Sequence, residues 1–161
     1  FQPVCGFNYG AGLNRRVRQG FWYCVKVGVI FLAICSLIGY IYAPEVVSWF
    51  RKEDPQVIAV GAEALRWQLI TLPLGAWVIL CNMLLQTIRQ PRRAVILSSS
   101  RQGLFFIPLI LILPYFLQLQ GVEMCQAAAD LCSFLLALPL TIPVLKSLRI
   151  DRTPMKEENT R

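Results

Sequence analysis

Residues Trp67 to Leu85 read WQLITLPLGAWVILCNMLL, nineteen positions without a charge. A helix of that length is about 28 Å long, close to the hydrocarbon thickness of a bilayer. A second run, Gly103 to Leu119 (GLFFIPLILILPYFLQL), spans about 25 Å, and Ser98-Ser99-Ser100-Arg101-Gln102 extends it inward. A short basic elbow, Arg89-Gln90-Pro91-Arg92-Arg93, joins the two. Neither run alternates polar with apolar, so neither reads as a half-buried strand. A helix apolar all round lies in a large core or in lipid. No soluble core built from 161 residues is thick enough to hold several of them. The pattern predicts an all-α integral membrane protein.

Working outward, Gly20 to Ala43 is another apolar run, broken only by Lys26, whose stem can lie along the helix while its ammonium reaches the headgroups. Trp22, Tyr23, Tyr40 and Tyr42 stand at its two ends, where aromatic belts form. Pro44 stops it. The mixed segment from Glu45 to Arg66 predicts a short interfacial helix, a turn at Asp54-Pro55 and a helix leading into the next span. Gln118-Leu119-Gln120-Gly121 predicts a tight loop, and Val122 to Leu145 a last span kinked by Pro139 and Pro143. Phe1 to Tyr9 reads as the end of a helix, broken by Gly10, Ala11 and Gly12, with a basic loop over 14–19. Four full transmembrane helices are expected, over about 20–43, 67–88, 94–118 and 122–145, with the end of a fifth before them. They form one unit over 1–149, followed by a polar tail over 150–161. The chain opens on Phe1 in mid-pattern, with no charged leader and short apolar core, and reads as the C-terminal part of a longer polypeptide.

Hydrophobic residues make up 56% and charged residues 16% of the chain, with a mean hydropathy of +0.54. The net charge of +7 is clustered between apolar runs rather than along one face, which argues for membrane orientation and against nucleic acid as a partner. With the elbow at 89–93 on the cytoplasmic side, the 10–19 segment and the tail share that side. Those three carry Arg15, Arg16, Arg18, Arg89, Arg92, Arg93, Lys146, Arg149, Arg152, Lys156 and Arg161. The opposite loops carry only Arg51, Lys52 and Arg66, so the bias is eleven to three. The positive-inside rule then places the C-terminus in the cytoplasm of a multi-pass protein of the plasma or inner membrane.

The six cysteines are scattered without a CxxC, and there is no histidine, so a zinc site is not expected and the thiols read as small apolar fillers. Nothing resembles a nucleophile with its base or a phosphate loop, so no enzyme and no cofactor are expected.

Asp130 is the most informative residue. It lies about 13 Å deep from the outer side by helical rise. An ionised carboxylate there costs at least a few kcal/mol unless paired, solvated or protonated. Two readings stay open: a proton- or cation-responsive group facing a cavity, or a carboxylate locking one helix to another. Arg101 lies about 12 Å up from the inner side on the preceding antiparallel helix, so a bidentate Arg101–Asp130 bridge is expected. Glu123 suits the first turn of the last span. Asn82, Gln86 and Gln102 are cavity or helix-packing polar groups. Pro73, Pro108, Pro114, Pro139 and Pro143 free backbone groups inside the spans.

Several stretches in order resemble the C-terminal half of a multidrug and toxic compound extrusion (MATE) transporter. They are Gln2-Pro3 with Gly6-Phe7-Asn8-Tyr9-Gly10-Ala11, the segment from Phe50 to Arg66 before Leu72-Pro73, and Gln86 before the elbow. Further on come Leu97 to Gln102, Ile107-Pro108, Leu113-Pro114, Gly121-Val122 and Asp130. The resemblance implies helices nine to twelve, and the end of helix eight, in the C-terminal lobe of a twelve-helix transporter. It implies an antiporter exporting small organic, often cationic, compounds in exchange for Na+ or H+ by rocking two lobes, with the N-terminal lobe as the missing partner. Glu123, Ala127 and Ile88 depart from the residues usual there, and the carboxylate some members carry in the helix matching 67–85 is missing here. The competing functions are a lipid-linked oligosaccharide flippase of the same superfamily and a non-transporting membrane scaffold subunit.

Overall fold

The computed structural model describes residues 1–50 and 55–150, without the side chains of residues 50, 55–57, 102, 116–120 and 123. The expected turn at Asp54, the loop cations Arg51 and Lys52, and the tail from residue 151 lie outside the described residues, as do the side chains of Gln102 and Glu123. All regular structure among the described residues is helical. In order these are α1 (Gln2–Gly10), α2 (Asn14–Ile41), α3 (Ala43–Phe50), α4 (Pro55–Thr87), α5 (Pro91–Ser99), a π-helical turn (Ser100–Leu104) and α6 (Phe106–Ser147).

Helix α1 ends where Gly12 adopts φ 77°, a left-handed conformation that glycine enters without steric cost. The Leu13 N–H donates back to the Asn8 carbonyl at 2.9 Å, closing the capping loop. Helix α2 then starts at Asn14, so the 14–19 segment expected as a loop is helical. The reason is visible in the burial pattern: Val17 and Phe21 turn into the core while Arg15 and Arg16 stay exposed, which makes the segment amphipathic.

Three helices, Asn14–Ile41, Ile58–Thr87 and Met124–Ser147, are long and apolar enough to cross a membrane. In the most apolar window of α2 only 11% of residues are buried. Val27, Ile30, Phe31, Ile34, Leu37 and Ile38 all face outward. Such a continuous apolar surface is stable in lipid and not in water. The chain is a multi-pass membrane protein. Trp22, Tyr23, Tyr40 and Tyr42 remain exposed at the two ends of this rod.

The expected third span, 94–118, is not one straight helix. It is assembled from α5, the π turn and the first limb of α6, where the shorter apolar stretch Phe106–Tyr115 lies. In the π turn the Phe105 N–H reaches the Ser100 carbonyl at 3.0 Å, one residue further than an α-helix allows.

The tight loop expected at 118–121 is likewise absent as a break in helicity, since α6 is helical from Phe106 to Ser147. It cannot be one rod. Along a straight helix residues 113 and 121 would stand about 12 Å apart. A Cβ on Gly121 would instead fall 2.5 Å from the Leu113 carbonyl oxygen. The run therefore doubles back between Leu113 and Gly121, and glycine permits that close approach. Two antiparallel limbs result, in the order the sequence predicts.

Helix α4 lies at the centre, packing on α2 along one side and on α6 along another. It begins at Pro55 and runs 33 residues, about 50 Å, so the interfacial approach and the span are one helix. The continuous core gathers at its C-terminal end, from Val17, Phe21, Leu84, Leu85, Ile88, Leu97, Val144 and Leu148. Phe21 stacks edge-on with Trp77 at 5.7 Å, and Trp77 with Phe134 at 6.4 Å, which joins α2, α4 and α6 there. The same end carries the basic residues of 15–18 and 89–93 with Lys146 and Arg149. The Asn14 amide donates to the Ile150 carbonyl at 2.9 Å, tying the start of α2 to the end of α6. The elbow turns at Arg89, whose φ of 59° puts a β-carbon in the left-handed region, and the Gln90 N–H caps α4 on the Leu85 carbonyl at 2.9 Å. At the opposite end small residues take over: Ala62, Ala127 and Ala129 are buried, and the Ser36 hydroxyl donates to the Leu69 carbonyl between α2 and α4.

Candidate functional site

The most polar point inside the helical bundle is Asp130, on the second limb of α6 and only 3% exposed. The doubling back of α6 brings it against the π turn. On a straight helix Arg101 and Asp130 would be about 43 Å apart. Here Arg101 Nε donates to Asp130 Oδ1 at 2.6 Å and Nη2 to Oδ2 at 3.3 Å, a two-pronged ion pair.

Two amides complete the carboxylate's surroundings. Gln126 Nε2 donates to Oδ1 at 3.2 Å from one turn earlier on the same helix, and Gln68 Nε2 donates to Oδ2 at 3.1 Å from α4. A carboxylate offers about four acceptor positions, and all four are occupied. The network thus binds α4, the π turn and α6 at one point. Nearby, Ser100 Oγ lies 3.3 Å from Ser133 Oγ, a second polar link between the π turn and α6, fully buried.

The two partners differ in exposure: the Asp130 side chain is 4% exposed and that of Arg101 35%. Arg101 also lines a cleft of about 230 Å³ with Val78, Ile79, Asn82, Leu97 and Ser98. Asn82 belongs to this neighbourhood, and its Oδ1 is buried without a hydrogen-bond partner. Gln86 is exposed on the last full turn of α4, away from the carboxylate network. Gln102 follows Arg101 within the π turn, but its side chain is outside the description.

Gln68 and Gln126 are the members that sequence reasoning passed over. Gln126 carried a readable signal, because residues four apart share a helix face. Gln68 carried none, since its depth depends on where α4 begins.

A family model described as MatE matches residues 1–112. Among solved structures, a multidrug resistance MATE family transporter of the MOP superfamily, in an inward-facing conformation, superposes with a TM-score of 0.84 at 17% identity. That match covers 92% of this chain and 34% of the other. A second solved chain, described as protein A, superposes with a TM-score of 0.82 at 32% identity, covering 92% of this chain and 33% of its own. No curated protein matches the sequence. The chain spans about a third of the length of the two solved chains it matches. The match covers α1 to the π turn, including Gln68 and Arg101, and stops before Gln126 and Asp130; it spans more than half of the chain, and the chain belongs to the MatE family of membrane transporters.

Proposed function

We propose that this chain is part of the C-terminal lobe of a secondary active multidrug efflux antiporter. It exports small organic, often cationic, compounds in exchange for Na+ or H+ by alternating access. In this reading α2, α4, the composite helix from Pro91 and the second limb of α6 are four spans of a twelve-helix transporter, and α1 ends a fifth. The basic end lies in the cytoplasm of a cell with the protein in its plasma or inner membrane, and an N-terminal lobe completes the cavity.

The observation that carries the reading is the Asp130 network. A coupling ion moves a transporter only if it binds the two facing states unequally. With its acceptor positions filled by Arg101, Gln68 and Gln126, Asp130 is a locked carboxylate in this state. Protonation or a bound cation would release Arg101 towards the cleft beside Asn82, loosening the π turn from α4 and α6. The kinked composite helix supplies the moving part.

The test is drug susceptibility in an efflux-deficient host expressing the full transporter. The native sequence raises resistance to organic cations several-fold, and Asp130→Asn abolishes most of that gain at equal membrane abundance. No resistance from a well-inserted native protein contradicts export. If an oligosaccharide-flippase defect is complemented instead, the substrate class is wrong.

A further inference from the structure

Away from the carboxylate network, the start of α2 and the end of α6 enclose a cleft of about 380 Å³. One stripe of α2 lines it: Arg15, Arg18, Gln19, Trp22 and Lys26 recur at spacings of three and four residues, which places them on one helix face. Arg149 closes the other side, just past the last turn of α6. Arg18, Lys26 and Arg149 thus bring three cationic side chains to one cleft, and among the described residues lining it none is acidic. Bringing like charges together is unfavourable unless an anion occupies the space between them. The Arg18 Nε is buried without a hydrogen-bond partner, a donor left available. The geometry is held in place by the Asn14-to-Ile150 hydrogen bond directly beside it.

A second cleft of about 310 Å³ adjoins the first and shares Arg18, Trp22 and Arg149 with it. Its other walls are mainly apolar: Trp77, Leu138, Ile142 and Leu145. Below both, α2 presents Val27, Ile30 and Ile34 outward along its length. A free inorganic anion would use only the basic half of this arrangement. A molecule with an anionic head and an apolar tail uses both. Exposed Trp22 and Tyr23 mark the depth as the boundary between headgroups and hydrocarbon.

We propose that the cleft between the start of α2 and the end of α6 binds the phosphate headgroup of an anionic phospholipid, with an acyl chain entering the apolar cleft behind Trp22. Guanidinium groups match phosphate oxygens in paired hydrogen bonds, and basic pockets between helices at a membrane surface suit such headgroups. The site is independent of substrate and coupling ion. It would anchor the end of the bundle where the core is densest.

Native mass spectrometry of the full chain in detergent, titrated with phosphatidylglycerol or phosphatidylcholine, tests this. The native chain retains phosphatidylglycerol in preference to phosphatidylcholine, and millimolar inorganic phosphate does not displace it. Arg18→Gln with Arg149→Gln lowers that retention roughly 30-fold, while Arg18→Lys with Arg149→Lys keeps most of it. Equal retention of the two lipids overturns the proposal, as does a double glutamine variant that holds phosphatidylglycerol like the native chain. Displacement by inorganic phosphate overturns the lipid in favour of a free-anion site. Should the glutamine variant fail to fold, the comparison of lipids on the native chain decides alone.

Discussion

At Asp130 the chain keeps a negative charge where lipid surroundings make it expensive, and the cost is offset by four donors on two oxygens. Removing either member of the ion pair strands the other. Asp130→Ala or Arg101→Ala should destabilise the chain by roughly 1–3 kcal/mol, between the values for exposed and buried pairs because Arg101 is partly exposed. The double exchange Arg101→Asp with Asp130→Arg should recover part of that loss, since the Gln68 and Gln126 amides can turn their oxygens to the new guanidinium. Thermal midpoints in detergent of the two alanine variants, the two single charge reversals and the double exchange check both statements. A double exchange no more stable than either single charge reversal removes the pair from the account. The partnership of Arg101 and Asp130 was legible from depth along two antiparallel helices, one counted from each membrane face. Gln126 could have been added from its spacing of four. Gln68 could not, because a residue's depth on α4 follows only once that helix is known to start at Pro55.

Element by element, the sequence marked where apolar rods lie more clearly than where helicity starts and stops. Hydropathy follows the solvent, whereas helicity follows backbone hydrogen bonding, and the two part company at basic ends such as Asn14–Gln19. The π turn was hidden for a related reason: one extra residue in a hydrogen-bonded ring leaves no trace in residue type. The reversal at the end of the first limb of α6 was legible, as polar Gln118 and Gln120 before Gly121 lie between two apolar runs. Its form was not, because a close approach of Gly121 to the Leu113 backbone replaces an open loop. Gly121→Ala places a methyl against that carbonyl, with no flexible side chain able to yield. The substitution should cost about 1–3 kcal/mol, the range for overpacking, seen as a lower thermal midpoint. An unchanged midpoint would mean that the limbs are not pressed together there.

For the whole molecule, the described basic residues of 15–18, 89–93 and 146–149 gather at one end of the bundle, and the positive-inside rule makes that the end expected in the cytoplasm. The hydrogen bond from Asn14 to Ile150 and the shared core of Val17, Ile88 and Leu148 bring those clusters together across more than a hundred residues of chain. The charge bias read from sequence and the packing of helix ends therefore agree on which ends are neighbours. A tag placed after Arg161 should be unreachable by protease in intact cells and become reachable once the membrane is opened. Cleavage in intact cells would invert the topology. The decisive measurement is gradient-driven transport by the full transporter in proteoliposomes, following a fluorescent organic cation. The account predicts that imposing a proton or sodium gradient drives the cation across the membrane, that an ionophore for that ion stops it, and that Asp130→Asn uncouples the two. Movement indifferent to both gradients, from protein that is correctly folded and inserted, would contradict it.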